Sequence, residues 1–273
     1  MRWADQDRSG SSEYQDFMVP AMFTPFAPLI VQAAGVAPGS RVLDLACGTG
    51  AVSREAARVA GVDGAVIGVD LGEPMLAVAR AQPAEPGAAP IAYRQGVAGA
   101  LPLDDASVDA LVCHHGFQFF DDRPRALREM IRVLVPGGRL AIATWGAPEC
   151  HPHFEALGNA LERHLGPEMA AVIRAPYVLG DPDGLGALLR DAGLDDVAVA
   201  LVQRPTVFAS AADFARRVIA AGPLAERFAA APAAQREAVG AEVAAAMASR
   251  TTPDGQLASS MTALFATART ART

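Results

Sequence analysis

The segment Val42-Leu43-Asp44-Leu45-Ala46-Cys47-Gly48-Thr49-Gly50 constrains this chain more than any other. An apolar run breaks into a glycine turn and a helix-compatible stretch follows. A second apolar run, Val66-Ile67-Gly68-Val69, then ends in the carboxylate of Asp70. That is the layout of a βαβ unit that binds a nucleoside at the carboxyl ends of its strands. Gly48 and Gly50 let the backbone approach a ligand closely, because neither carries a side chain. Asp70 stands where a carboxylate accepts both hydroxyls of a ribose. A dinucleotide-binding turn places a third glycine three residues after Gly50, and this chain has Ser53 there, so the ligand need not carry a pyrophosphate.

The rest of the pattern builds a sheet around that unit. Strands are expected at 41–46, 65–70, 90–95, 108–113 and 139–145, with helices at 51–60, 73–81 and 122–134 between them. Such alternation implies a parallel sheet with helices on both faces. Gly48, Asp70, Val97 and His114 then all fall at strand ends, where ligands sit on such sheets. Ahead of the sheet, residues 11–35 carry Pro20, Pro25 and Pro28 and read as two or three short helices. Beyond Trp145 the expectations are helix over 152–175, an amphipathic helix over 181–192 opened by Asp181-Pro182, and strand over 197–203. Helical stretches at 210–221 and 232–248 and a last strand over 261–267 complete the pattern.

Five segments in this order resemble the class I S-adenosylmethionine-dependent methyltransferases, and the small-molecule branch typified by quinone and natural-product methyltransferases in particular. They are Asp44 to Gly50, Gly68-Val69-Asp70, Gly96 to Pro102, Cys113-His114-His115-Gly116-Phe117-Gln118-Phe119-Phe120, and Leu134-Val135-Pro136-Gly137-Gly138-Arg139-Leu140. The resemblance implies an α/β, Rossmann-like sheet of seven mostly parallel strands, order 3-2-1-4-5-7-6, with helices on both faces and a helical cap. In that frame residues 1–35 form an N-terminal helical lid and 36–146 the cofactor-binding core. Residues 147–178 are a helical insertion and 179–204 the core helix with strand six; 205–258 are a second helical insertion and 259–273 the last strand and tail.

The resemblance also implies S-adenosyl-L-methionine as cofactor. Its nucleoside and methionine would meet Tyr14, Asp44, Ala46, Gly48, Gly50, Asp70, Leu71, Met75, Gly96, Val97, Ala98 and His114. Asp44 is expected to orient the glycine turn through its amides and to lie near the methionine ammonium, with Tyr14 closing over that end. Leu71 and Met75 would flank the adenine. Many relatives read Gly-Asp-Ala where this chain reads Gly96-Val97-Ala98, and Val97 cannot accept a bond from the adenine amino group. That task passes to backbone carbonyls near Val97 and Ala98, to Gln95 or to Asp104. His114 and His115 follow strand four, and histidine suits proton removal near neutral pH. Successive residues on a strand project apart, so one of the two is expected to face the cavity. Of His151, His153 and His164, at most one is expected to reach it.

Composition narrows the partners. The net charge is −7 and all 23 basic residues are arginine, which argues against a phosphate-backbone partner and removes lysine as a base or Schiff-base nucleophile. Cys113-His114-His115-Gly116 also differs from the Asn/Asp-Pro-Pro-aromatic segment of base-modifying methyltransferases. Cys47, Cys113 and Cys150 lack metal-ligand spacing, and their odd number suits a reducing compartment. No metal is expected. No signal-type leader or span-length apolar run is expected either, which points to the cytoplasm; a homodimer fits this reading. The expected reaction is methyl transfer to O, N or C of a small, largely apolar acceptor such as a phenol, quinone, amine or natural-product scaffold. The alternative with the same cofactor site is non-methylating chemistry, a cyclisation or rearrangement; a nicotinamide oxidoreductase is disfavoured by Ser53.

Overall fold

The near-continuous apolar runs of the central strands suit burial on both faces, and they occupy the middle of a seven-stranded sheet. In the computed structural model, which describes residues 8–272, the strand order is β3-β2-β1-β4-β5-β7-β6. The strands β1 (Arg41–Leu45), β2 (Ala65–Asp70), β3 (Ile91–Gln95), β4 (Val108–His114) and β5 (Leu134–Trp145) run parallel. The last strand in sequence, β7 (Leu257–Arg269), inserts antiparallel between β5 and β6 (Asp195–Phe208). Side chains alternate across the sheet. Val42, Val112 and Ala141 join one buried cluster, and Leu43, Leu111 and Leu140 join the cluster on the other face.

Between the strands lie α3 (Ala51–Ala60), α4 (Glu73–Ala81), α5 (Arg123–Val133) and α8 (Pro182–Asp191). Asp122 caps α5 by accepting the amide of Arg125, and Asp181 caps α8 through the amides of Asp183 and Gly184. The strand order reverses between β1 and β4, which places a crevice above their carboxyl ends.

Several boundaries differ from the periodicity. The helix expected over 152–175 is two helices, α6 (Pro152–Leu165) and α7 (Pro167–Arg174), because Gly166 at φ +93° with Pro167 behind it breaks the run. Strand β5 begins at Leu134, which pairs with Val108 across a register shift. Strands β6 and β7 pair all the way from Asp195↔Arg269 to Phe208↔Leu257, so the second insertion is only the segment between them: α9 (Ala211–Ala220), α10 (Ala225–Ala229) and α11 (Ala233–Ala246).

The N-terminal segment runs from α1 (Arg8–Glu13) through a π-helical stretch (Tyr14–Phe23) and a 3₁₀ turn (Thr24–Phe26) into α2 (Ala27–Ala33). Residues 1–7 of the expected lid lie outside the described residues. The helical run Gly10–Ala33 is long and apolar enough to cross a membrane by length and composition, where the sequence led us to expect no such run. Half of its most apolar window is buried in the fold, with Phe17, Met18, Met22, Phe26 and Ile30 packed into the core.

The glycine turn after β1 is held by geometry as well as by function. Gly50 sits at φ +79° and a Cβ there would collide with the Tyr93 hydroxyl of β3, so strand packing also calls for a glycine here. Gly50→Ala is expected to cost about 1–3 kcal/mol in urea denaturation. Adding Tyr93→Phe should recover only the part due to the hydroxyl, leaving the cost of left-handed backbone.

Candidate active site

Two carboxylates organise the crevice. At the end of β2, Asp70 accepts the Gly48 amide at 2.8 Å on Oδ2 and the Gly72 amide at 2.8 Å on Oδ1. Each oxygen thus keeps lone-pair capacity for a further donor. Asp44 on β1 is 1% exposed and takes the Ser53 hydroxyl at 2.6 Å on Oδ2. The turn amide of Gly48 therefore belongs to Asp70 and not, as expected, to Asp44, whose bond is to Ser53 on α3. Oδ1 of Asp44 is buried without a partner, as is the neighbouring Thr49 hydroxyl. Burial, with Asp70 close by, pushes the Asp44 carboxyl up to about 7.

A cavity of about 670 Å³ opens over the strand ends. Of the residues singled out from sequence, Tyr14, Ala46, Gly48, Asp70, Leu71, Met75, Gly96, Val97, Ala98, His114 and His115 line it. Asp44 lines a small adjoining cavity of about 30 Å³ that shares Tyr14, Phe23, Ala46, Gly48 and His114 as walls. Gly50 lines neither. Space for a cofactor's cationic tail beneath Tyr14, an unpartnered carboxylate oxygen to meet it, and an open face at Gly48 (φ +54°, with nothing within 4 Å of a built Cβ) fit a methionine-bearing nucleoside.

At the opposite end Val97 is 48% exposed on the wall. Gln95 and Asp104 lie off the wall; the Gln95 amide donates to the Leu71 carbonyl at 3.0 Å, and Asp104 is exposed. Of the residues offered for adenine recognition, Val97 and Ala98 line the cavity and Gln95 and Asp104 do not.

Both histidines after β4 reach the wall, although a strand would have turned one away. The reason is His115 at φ +58°, a left-handed residue that ends the alternation. Its ring stacks on Trp145 (centroids 3.6 Å apart, planes 17°) and both of its nitrogens are buried without partners. His114 lies 4.3 Å from it, with Nε2 also unpartnered. Desolvation lowers His114 to about 3 and His115 well below the ordinary histidine value, so both imidazoles are neutral.

The other three histidines line neither cavity. His151 Nδ1 donates to the Ala147 carbonyl and Nε2 accepts the Thr262 amide at 3.1 Å. His153 meets Ser259 at 2.9 Å, and His164 meets Glu242 at 2.9 Å. Among the described residues no group of His, Cys, Asp or Glu could hold a metal ion.

The sequence had not singled out the apolar lobe beyond the histidines. Met18, Met22 and Phe23 come from the roof, Trp145 from the end of β5, Phe154 from α6, Ile173 and Tyr177 from α7 and the turn after it, and Val218 from α9. Trp145 stands at a strand end and could have been found there; the Tyr14–Met18–Met22 spacing was a further signal. Tyr177 had none.

Sheet order, strand-end acid and two-part cavity fit an α/β protein that takes a nucleoside cofactor. Comparison with known proteins narrows the class. A family model described as a methyltransferase domain matches residues 43–142. The ubiquinone/menaquinone biosynthesis C-methyltransferase UbiE of Yersinia pestis is 33% identical over 179 residues, spanning 61% of this chain and 71% of that protein; the Escherichia coli protein of that name is 32% identical over the same length. Among solved structures, YcgJ from Bacillus subtilis superimposes with a TM-score of 0.58 at 20% identity over 90% of this chain and 97% of its own. Haemonchus contortus phosphoethanolamine N-methyltransferase 2, in complex with phosphomonomethylethanolamine and S-adenosylhomocysteine, gives 0.60 at 19% over 97% and 57%. The [4+2]-cyclase SpnF shares the fold, with a TM-score of 0.53 at 20% identity over 91% of this chain and 80% of its own. The chain belongs to the class I S-adenosylmethionine-dependent methyltransferases, and S-adenosylmethionine is its cofactor.

The buried ionisable groups set a pH dependence of stability. His114, His115, His151 and His153 are all depressed by burial. The unfolded chain therefore binds protons below about 6.5 that the folded chain refuses, and stability falls as pH drops. Asp44 and Asp70 are raised by burial and act oppositely, the folded chain holding protons that the unfolded chain releases above about 4. Histidines outnumber carboxyls, so urea denaturation should show stability rising from pH 5 to 6.5. Asp44→Asn should steepen that rise.

Proposed function

We propose that this methyltransferase transfers a methyl group to O, N or C of a small, uncharged, largely apolar acceptor in natural-product biosynthesis. The observation that carries the reading is the pair of unpartnered neutral histidines, His114 and His115, at the junction of the nucleoside end and the apolar lobe. The charged residues on the wall are Asp70, Asp121, Asp122 and Arg125, at the end of β2 and ahead of and within α5; the lobe has none. An ionic acceptor would lose its hydration there without compensation. A neutral imidazole offers one donor and one acceptor, and leaving either buried and unmet costs about 1–3 kcal/mol. A hydroxyl or carbonyl on the acceptor meets them. Three free cysteines, Cys47, Cys113 and Cys150, support placing the enzyme in the cytoplasm.

S-adenosylmethionine supplies an electrophilic methyl on a sulfonium. Asp70 would hold the ribose hydroxyls, Asp44 the methionine ammonium, and Leu71, Met75 and the backbone of Val97 and Ala98 the adenine. Tyr14 and Phe23 cover the methionine end and keep water out, which favours transfer between aligned groups. His114 Nε2 is free to accept a hydrogen bond from the acceptor's nucleophilic group and to take its proton. Held near 3 by burial, it is a weak base, and its service is chiefly orientation. Tyr177, 8% exposed and lining the lobe, offers its hydroxyl to a second polar group of the acceptor.

The test is incubation with methyl-labelled cofactor and a panel of uncharged phenols, quinones and amines. Label is expected in the acceptor. An acceptor converted while all label stays in S-adenosylmethionine would overturn methyl transfer in favour of cyclisation or rearrangement. His114→Ala is expected to lower turnover about 10²-fold, the low end for a general base, with a far smaller change in S-adenosylhomocysteine affinity. The wild-type rate profile should lack an inflection at 6.5, because the imidazole stays neutral well below it.

The cofactor end makes a separate prediction. An ammonium beside Asp44 favours its ionised form, so binding expels a proton wherever the free carboxyl holds one. Calorimetric affinity for S-adenosylhomocysteine should strengthen as pH rises through about 7, approaching about tenfold per unit on the acid side. Asp44→Asn should bind more weakly and lose that dependence.

A further inference from the structure

The π-helical stretch Tyr14–Phe23 roofs both halves of the cavity, with Tyr14 over the cofactor end and Met18, Met22 and Phe23 over the lobe. A π-helix of this length is rare, and such windings gather at functional sites. The Thr24 amide reaches back to the Val19 carbonyl, and Pro20 lies inside with no amide to give. Beyond its own backbone bonds, the roof is held by contacts from elsewhere in the fold.

The Thr206 hydroxyl of β6 donates to the Ala21 carbonyl at 3.1 Å, and a second hold comes from α9. Arg217 Nε donates to Glu13 Oε1 at 3.0 Å, and the same guanidinium lies 4.3 Å from the centre of the Phe17 ring. One side chain thus grips the roof at two points a turn apart, by an ion pair and by a cation–π contact. The next residue, Val218, lines the lobe, and Phe214, one turn earlier on α9, meets Phe154 of the lobe edge-on at 5.1 Å. The helix that walls the acceptor lobe is therefore the helix that fastens the roof.

We propose that Arg217 is a positioning residue that latches the N-terminal roof over the bound cofactor, so that cofactor release requires the Glu13–Arg217–Phe17 contact to open. The proposal rests on the cofactor lying beneath Tyr14, as set out above. Because Met18, Met22 and Phe23 are carried on the same roof, the latched state is also the one with a complete acceptor lobe. Cofactor binds before the roof is latched and the acceptor meets a finished pocket.

The experiment is stopped-flow release of S-adenosylhomocysteine, followed by intrinsic fluorescence, with chymotrypsin cleavage at Tyr14 and Phe17 in the complex as second readout. Arg217→Met keeps most of the volume and removes the charge. It is expected to speed release about tenfold and to speed cleavage, in a variant whose circular dichroism remains that of the folded protein. Glu13→Gln, which leaves the cation–π contact, should give an intermediate rate. The exchange Glu13→Arg with Arg217→Glu should return the rate to near that of Glu13→Gln. Release within twofold of wild type in a folded Arg217→Met would overturn the latch. Should Arg217→Met fail to fold, an unchanged rate in Glu13→Gln overturns it. Wild-type protein that binds S-adenosylhomocysteine with Tyr14 freely cleaved in the complex would instead contradict the placement of the cofactor.

Discussion

One carboxylate ties the site together. Asp70 receives the amide of Gly48 from the turn after β1 and the amide of Gly72 from the start of α4, so two strand ends and a helix entry are fixed relative to one another by a single side chain. Charge-assisted bonds of this kind contribute about 1.5–3 kcal/mol each. Burial raises the Asp70 carboxyl while its backbone donors lower it, and each oxygen remains able to accept once more. The geometry that stabilises the turn is thus the geometry that can grip a diol.

Beside it, Asp44 is left incomplete. Ser53 satisfies one oxygen and burial isolates the other, so the carboxyl stays protonated to a higher pH than in water until a cation arrives. A dinucleotide-type glycine at position 53 would remove that hydroxyl. The residue that argued against a pyrophosphate ligand is therefore the one that satisfies half of the Asp44 carboxylate.

The core of the fold was legible because parallel strands buried on both faces leave long apolar runs and because glycine turns and strand-end acids have few other uses. The acceptor side was not. Both histidines face the cavity only because His115 adopts a left-handed conformation, which no alternation rule foresees. Tyr177 reaches the lobe from a turn that follows a helix break at Gly166, and Arg217 grips a roof 204 positions away in sequence. Contacts of that kind depend on how insertions dock, and docking is written in shape rather than in periodicity. Gly50 adds a contact of the same kind: the glycine was legible as part of the turn, but its packing against Tyr93 of β3 was not.

In the proposed complex the cofactor lies with its ribose on Asp70 and its sulfur facing His114 beneath the latched roof. A crystal structure of the S-adenosylhomocysteine complex tests it most directly. Both ribose hydroxyls should lie within hydrogen-bonding distance of Asp70, the ammonium at Asp44 Oδ1, and the sulfur should open toward the His114–His115 end of the lobe. A ribose bound away from Asp70, or a sulfur facing solvent with the histidines remote from it, would contradict it.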